Sequence, residues 1–138
     1  MVQRASERGE IDMFFNEVHH VAIIVSDYEK SRKFYVEQLE LPIIREIYRE
    51  DREDYKLDLQ VGDMELEIFG VKNPPKRVTN PEACGLRHLA FKVDDIETVV
   101  KWLNEKGIET EPIRMDPYTQ KRMTFFRDPD DLPLELHE

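Results

Sequence analysis

The 138-residue chain has a single cysteine, Cys84, so it can neither close an internal disulfide nor build a thiolate zinc site from its own sulfurs. Any metal it holds must rest on histidine and carboxylate. Long apolar runs are also missing. The longest, Val21–Val25, is far short of the ~20 residues that a transmembrane helix needs, and residues 1–16 lack the apolar stretch of a signal peptide. A soluble cytoplasmic protein is the expectation. Positive charge is in deficit: 20 Lys and Arg against 30 Asp and Glu leave a net charge of -10. Such a balance repels phosphate backbones and anionic lipid at long range, so neither nucleic acid nor membrane is an expected partner.

What is present is enough for a core. Hydrophobic residues make up 40% of the chain, and charged residues, at 36%, exceed the ~25% of ordinary soluble domains, so the surface is densely charged. A mass of 16.5 kDa fits one compact domain or two small modules that share a core.

Along the chain, residues 1–17 read as an N-terminal tail. VHHVAIIV from Val18 reads as a buried strand, and Ser26 or Asp27 then caps an amphipathic helix, DYEKSRKFYVEQL, that presents Tyr28, Ser31, Phe34, Tyr35 and Leu39 on one face. Three strand-like segments follow, IIREIYRE, DYKLDLQV and DMELEIFG, the last two joined at Gly62-Asp63. KNPPKRVTNPEACG, with three prolines, reads as an extended linker over residues 72–85. Beyond it the order returns: strand LRHLAFKV, helix DDIETVVKWLNEKG with Asp94 or Asp95 as cap and Gly107 at its end, then strands IETEPIRM, KRMTFFRD and LPLELHE. Residues 18–71 thus form one βαβββ module and residues 86–138 a second, within a single domain over 18–138.

One offset relates the two halves. A shift of 68 residues sets His20 on His88, Ala22 on Ala90, Val25 on Val93, Asp27 on Asp95, Glu29 on Glu97, Glu37 on Glu105 and Glu67 on Glu135, with no gap. Strand parity then gives direction. Val21, Ile23 and Val25, like Leu89, Phe91 and Val93, share the face that takes the helix, so His20 and His88 point to the other face. Leu66 and Ile68, or Leu134 and Leu136, turn Glu67 and Glu135 the same way.

Singly, each of these residues reads as a solvated or hydrogen-bonded strand position. Jointly they occupy matching places with the same internal separation of 47 residues. If the modules bring these faces together, two imidazoles and two carboxylates converge, a set that neutralises a divalent cation without thiolate and suits Zn, Ni, Mn, Co or Fe(II). His19 and His137 align with Arg87 and Phe69 and are left outside the ligand set.

These motifs, HHVAIIVSDYEKSRKFY, DMELEIF, GLRHLAFKVDD and DPDDLPLEL, resemble the vicinal oxygen chelate superfamily, which includes glyoxalase I, extradiol dioxygenases, methylmalonyl-CoA epimerase and the fosfomycin and bleomycin resistance proteins. PEACGLRHLAFKVDD followed by DPYTQKRMTFF is similar to a narrower group of small bacterial glyoxalase I-like proteins, the YaeR-like ones. The resemblance implies an α+β fold in which two tandem βαβββ modules form a cupped mixed sheet with helices outside, as in the glyoxalase/bleomycin resistance/dihydroxybiphenyl dioxygenase fold. It also implies a metal held by His20, Glu67, His88 and Glu135, Zn or Ni first and Co, Mn or Fe after them.

Within the superfamily, a Glu at position 67 matches glyoxalase I; the epimerase carries Gln there, and extradiol and fosfomycin enzymes leave that position unligated. The implied activity is a lactoylglutathione lyase-type isomerisation of a 2-oxoaldehyde hemithioacetal through a metal-bound enediolate, with Glu67 and Glu135 as proton carriers. Its substrate would be a small molecule with vicinal oxygens, a glutathione or other thiol adduct. Arg45, Tyr48, Arg49, Tyr118, Lys121 and Arg122 are candidate substrate contacts, although in so charged a chain each alone reads as surface or packing. The alternatives are an Fe(II)-dependent extradiol-type dioxygenase, an epimerase, a thiol transferase, and a non-catalytic binding or resistance protein. A homodimer is expected, with modules pairing within a chain or swapping between chains.

Overall fold

Branched apolar side chains at alternate positions generate two sheets of four strands each, in the computed structural model that describes residues 13–138. Most of the expected tail lies outside the described residues. In chain order the elements are β1 (His20–Val25), α1 (Tyr28–Arg32) running into a π-helical segment (Lys33–Gln38), β2 (Ile43–Arg49), β3 (Asp54–Val61), β4 (Met64–Gly70), β5 (Leu89–Lys92), α2 (Ile96–Glu105), β6 (Arg114–Asp116), β7 (Lys121–Arg127) and β8 (Pro133–His137).

The two sheets repeat one topology. The first runs β1-β4-β3-β2 and the second β5-β8-β7-β6. β1 is parallel to β4 and β5 to β8, and the remaining pairs are antiparallel. This is the α+β architecture expected from the duplicated pattern.

One face of each sheet is closed by its helix. Ile23, Val25, Leu57, Leu59, Leu66 and Ile68 are buried against Tyr28, Phe34 and Tyr35, and Leu134, Leu136 and Phe126 lie in the same continuous core with Ile96 and Leu103. Each fully buried aliphatic side chain contributes about 1.5–3 kcal/mol relative to exposure, and the clustering of both sets makes the modules interdependent. Tyr35 donates from its hydroxyl to Asp128 Oδ2 at 2.7 Å, Phe34 meets Phe126 with centroids 6.4 Å apart, and Lys106 Nζ donates to the Gln38 carbonyl at 2.7 Å. Burial pushes the Asp128 carboxyl above its usual range, against the donors Tyr35 O–H, Leu132 N–H and Asp130 N–H, which favour the charged form.

Three local expectations are corrected. The first helix is α-helical only to Arg32, because Leu39 N–H bonds to the Phe34 carbonyl five residues back; this wider turn accompanies the burial of consecutive Phe34 and Tyr35. The segment IETEPIRM is strand only from Arg114: Pro112 has no amide to donate, and Glu111 instead bonds Phe125 and Thr124 from a non-ladder stretch. At α2, Asp95 is the N-cap residue but makes no side-chain cap bond; Glu138 Oε2 accepts from Ile96 N–H at 3.0 Å in its place. At the other end Gly107 holds φ +82°, where it ends the helix as its position predicted.

Candidate metal centre

The face of each sheet opposite its helix is open. On the first sheet β1 contributes His20, Ala22 and Ile24, and β4 contributes Glu65, Glu67 and Phe69, with Ala22 in register with Glu67. On the second, Ala90 is in register with Glu135, and His88 precedes β5 by one residue. The parity argument therefore holds at all four positions.

Two histidine–glutamate pairs result. His20 Nε2 lies 3.5 Å from Glu67 Oε2, and His88 Nε2 lies 3.1 Å from Glu135 Oε1. In each pair a small alanine lies in register beside the carboxylate. Within one chain, however, the pairs stay apart: among the described residues no three His, Cys, Asp or Glu side chains gather where one ion could reach them all. The convergence that the repeat suggested is not completed by a single copy.

The two carboxylates have different neighbours. Glu135 is only 7% exposed and sits in register with Phe125, whose ring meets His88 edge-on at 5.3 Å. The structurally matching neighbour of Glu67 is Asp58, fully buried and gripped by Lys56 Nζ at 2.6 and 2.7 Å and by Arg45. Burial pushes the Asp58 carboxyl up, but the bonds from Lys56 and Arg45 outweigh it and hold it below the usual carboxylate range. Lys56 Nζ also lies 3.9 Å from Glu67. The nearest in-register neighbour is thus a buried ion-paired carboxylate at Glu67 and an aromatic ring at Glu135.

Each ligand-type histidine is also held from behind by the residue before it. His19 Nδ1 lies 2.9 Å from His20 Nδ1, and Arg87 Nη1 lies 3.1 Å from His88 Nδ1. The 68-residue offset sets His19 on Arg87, a correspondence of position that their different chemistry concealed.

The six candidate substrate contacts separate. Arg45 shares the open face with Glu67 but is paired with Asp58 and Glu65. Arg49 is on that face too, closed in a two-bond fork on Asp54 at 2.6 and 2.7 Å. Tyr48 faces the helix side and stacks on Tyr55, and Arg122 faces α2, where it bonds Glu138 and Glu97. Tyr118 is exposed in the β6–β7 turn, and Lys121 begins β7. Lys56, Asp58, Phe125 and Arg87, which sequence reasoning passed over, each lie beside one of the paired residues.

The model of the Glyoxalase/Bleomycin resistance protein/Dioxygenase superfamily matches residues 17–136. The chain belongs to this superfamily. Within the superfamily it is 58% identical over 127 residues to the uncharacterized protein YwkD of Bacillus subtilis, covering 91% of this chain and 99% of that one. It is 53% identical to YaeR of Escherichia coli, over 88% of this chain and 95% of that one. The crystal structure of a glyoxalase family protein from Enterococcus faecalis, 59% identical, superposes with a TM-score of 0.86 over 91% of this chain and all of that one. More distant superfamily relatives carry named activities: the metallothiol transferase FosB of Staphylococcus saprophyticus is 29% identical over 87% of this chain and 75% of its own length. The lactoylglutathione lyase of Schizosaccharomyces pombe is 27% identical over 91% of this chain and 48% of its own length. Among the described residues, no helix is long and apolar enough to cross a membrane.

Proposed function

We propose that the chain is a divalent-metal-dependent enzyme of glyoxalase I type, in which His20 and Glu67 of one copy meet His88 and Glu135 of another. The observation that carries this is the repeated His-Glu pair with an alanine beside each carboxylate, present on the open face of both sheets. Either pair alone is half a ligand set. Two copies related by a twofold axis supply two complete sets of two neutral imidazoles and two carboxylates, matched to Zn, Ni or another divalent ion. Ile24, 62% exposed on the same face as His20, offers apolar surface for that contact.

A divalent ion held there supplies Lewis acidity to a carbonyl and offsets negative charge that develops on the substrate oxygens. The chain's own part is proton handling. Glu67 and Glu135 reach the site from different sheets, so one carboxylate can take a proton from the carbon beside the carbonyl while the other returns one to its neighbour. The substrate class is a hemithioacetal of a 2-oxoaldehyde with a thiol such as glutathione, a reading supported by Glu67 as fourth ligand and by the lyase among the relatives. A thiol transferase is the second reading, favoured by the likeness to FosB.

The test is isomerisation of methylglyoxal–thiol adducts by the protein loaded with Ni, Zn, Co or Mn, across several thiols. Turnover with at least one metal–thiol pair, lost in Glu67→Gln, is expected. No turnover in any combination, with metal still bound, removes the glyoxalase assignment and leaves the metal centre standing.

A further inference from the structure

We propose that a small cavity, walled by residues 77–87 and the open face of the second sheet, is a binding site for a small oxyanion, a phosphate or carboxylate group. The cavity is about 190 Å³ and gathers Arg77, Arg87, Arg114 and Arg127 around Phe125. In a chain with a net charge of -10, four guanidinium groups on one small hollow run against the general surface.

Charge pairing within the cavity is incomplete. Arg87 bonds Glu82 at 2.8 Å, Arg114 bonds Glu111 at 3.0 Å, and Arg127 bonds Asp131 at 3.2 Å. Arg77 has no carboxylate partner among the described residues: it donates to Thr79 Oγ1 at 3.2 Å and to the carbonyls of Leu86 and Arg87. These neutral acceptors hold its guanidinium in place, and among the described residues no carboxylate compensates its charge. Counted on the cavity wall itself, four guanidiniums face two carboxylates, Glu82 and Glu111. A planar guanidinium recognises the paired oxygens of an oxyanion through parallel N–H bonds, and several such forks around one hollow suit a small anion better than a neutral ligand.

The hollow also adjoins the second half-site. Arg114 lies over the Phe125 ring at 5.5 Å, Phe125 meets His88 edge-on, and Arg87 touches both Glu82 and His88. A substrate anchored by an oxyanion here would extend its other end toward His88 and Glu135. That extension rests on the metal-centre reading above; the anion site does not.

The experiment titrates the metal-free full-length protein with inorganic phosphate, and separately with malonate, at low ionic strength. Binding is followed by calorimetry and by the arginine side-chain Nε–H resonances. Saturable binding of either anion is expected, with shifts at Arg77 and Arg87 and an affinity about tenfold weaker in Arg77→Gln, the loss of one charged hydrogen-bond donor. Lys101→Gln, an exposed change on α2, keeps the wild-type affinity. Because Arg77 also braces its own loop, Arg127→Gln is measured beside it and is likewise weakened. Titrations that never saturate, or equal weakening in Lys101→Gln, overturn the site. Anion binding without metal binding, or the reverse, tells failure of the metal centre from failure of this site.

Discussion

Arg87 Nη1 lies 3.1 Å from His88 Nδ1. A guanidinium only donates, so Nδ1 accepts and the imidazole proton sits on Nε2, facing Glu135. A histidine that ligates through Nε2 needs that proton on Nδ1 instead. His20 has the opposite arrangement available, because His19 Nδ1, 2.9 Å away, can accept from His20 Nδ1–H and leave Nε2 open toward Glu67.

From this contrast the two neighbours have opposite effects on metal affinity. His19→Ala removes the acceptor that fixes the ligating tautomer and weakens divalent metal binding by about tenfold or more. Arg87→Ala removes a competing donor and tightens it. Competition against a chromophoric chelator measures both, and a weakening in both variants would refute the tautomer argument.

If each metal site is shared between copies, two inactive variants complement one another. His20→Ala and Glu135→Ala each break both sites of their own homodimer. After subunit exchange, a mixed dimer keeps one intact site, so metal content recovers to roughly a quarter of the wild-type value at random pairing. Metal analysis of the exchanged mixture reads this directly, and no recovery would place all four ligands within one chain.

Gly70 ends β4 against α1. A Cβ there would meet Tyr28 Cβ and Cδ1 at 2.8 Å, and the first of these belongs to the least movable part of the tyrosine side chain. Gly70→Ala therefore costs about 1–3 kcal/mol of stability through overpacking, measured by denaturant unfolding. Wild-type stability in this variant would show that α1 can shift without cost.

Glu138 accepts from Arg122 and from Ile96 N–H, and these bonds lower its carboxyl from 4.5 to about 2. A depressed carboxyl stabilises the folded state above the unfolded value, and that contribution disappears as pH falls from about 4.5 to about 2. Glu138→Gln should melt lower than wild type at neutral pH, with the two melting curves converging across that window. Parallel melting profiles from neutral pH to pH 2 would contradict this role.

Much of this was legible before folding. The period-2 apolar pattern of VHHVAIIV and DMELEIF fixes which face is buried, and since His20 and Glu67 fall on the off-beat, their direction follows from backbone pleat alone. The 68-residue offset carries the same conclusion to His88 and Glu135. Cation partners were not legible. Arg49 and Asp54 are close in sequence, but Arg122 and Glu138 meet across a strand pair and Arg45 finds Asp58 by β2–β3 register, so which arginines are neutralised depends on register rather than composition. The π-helical segment escaped for a similar reason: 3.6-residue spacing places Phe34 and Tyr35 inward but says nothing of the carbonyl that Leu39 selects.

By itself the sequence determined the duplication, the strand faces and the direction of His20, Glu67, His88 and Glu135, because these rest on periodicity along one chain. Only the tertiary structure decided that one copy holds those residues as two separate pairs, that His19 and Arg87 occupy equivalent places behind them, and that Arg77 meets neutral acceptors rather than a carboxylate among the described residues. Distances between modules depend on how α1, the 128–131 turn and α2 pack together, and no spacing within either module encodes that packing.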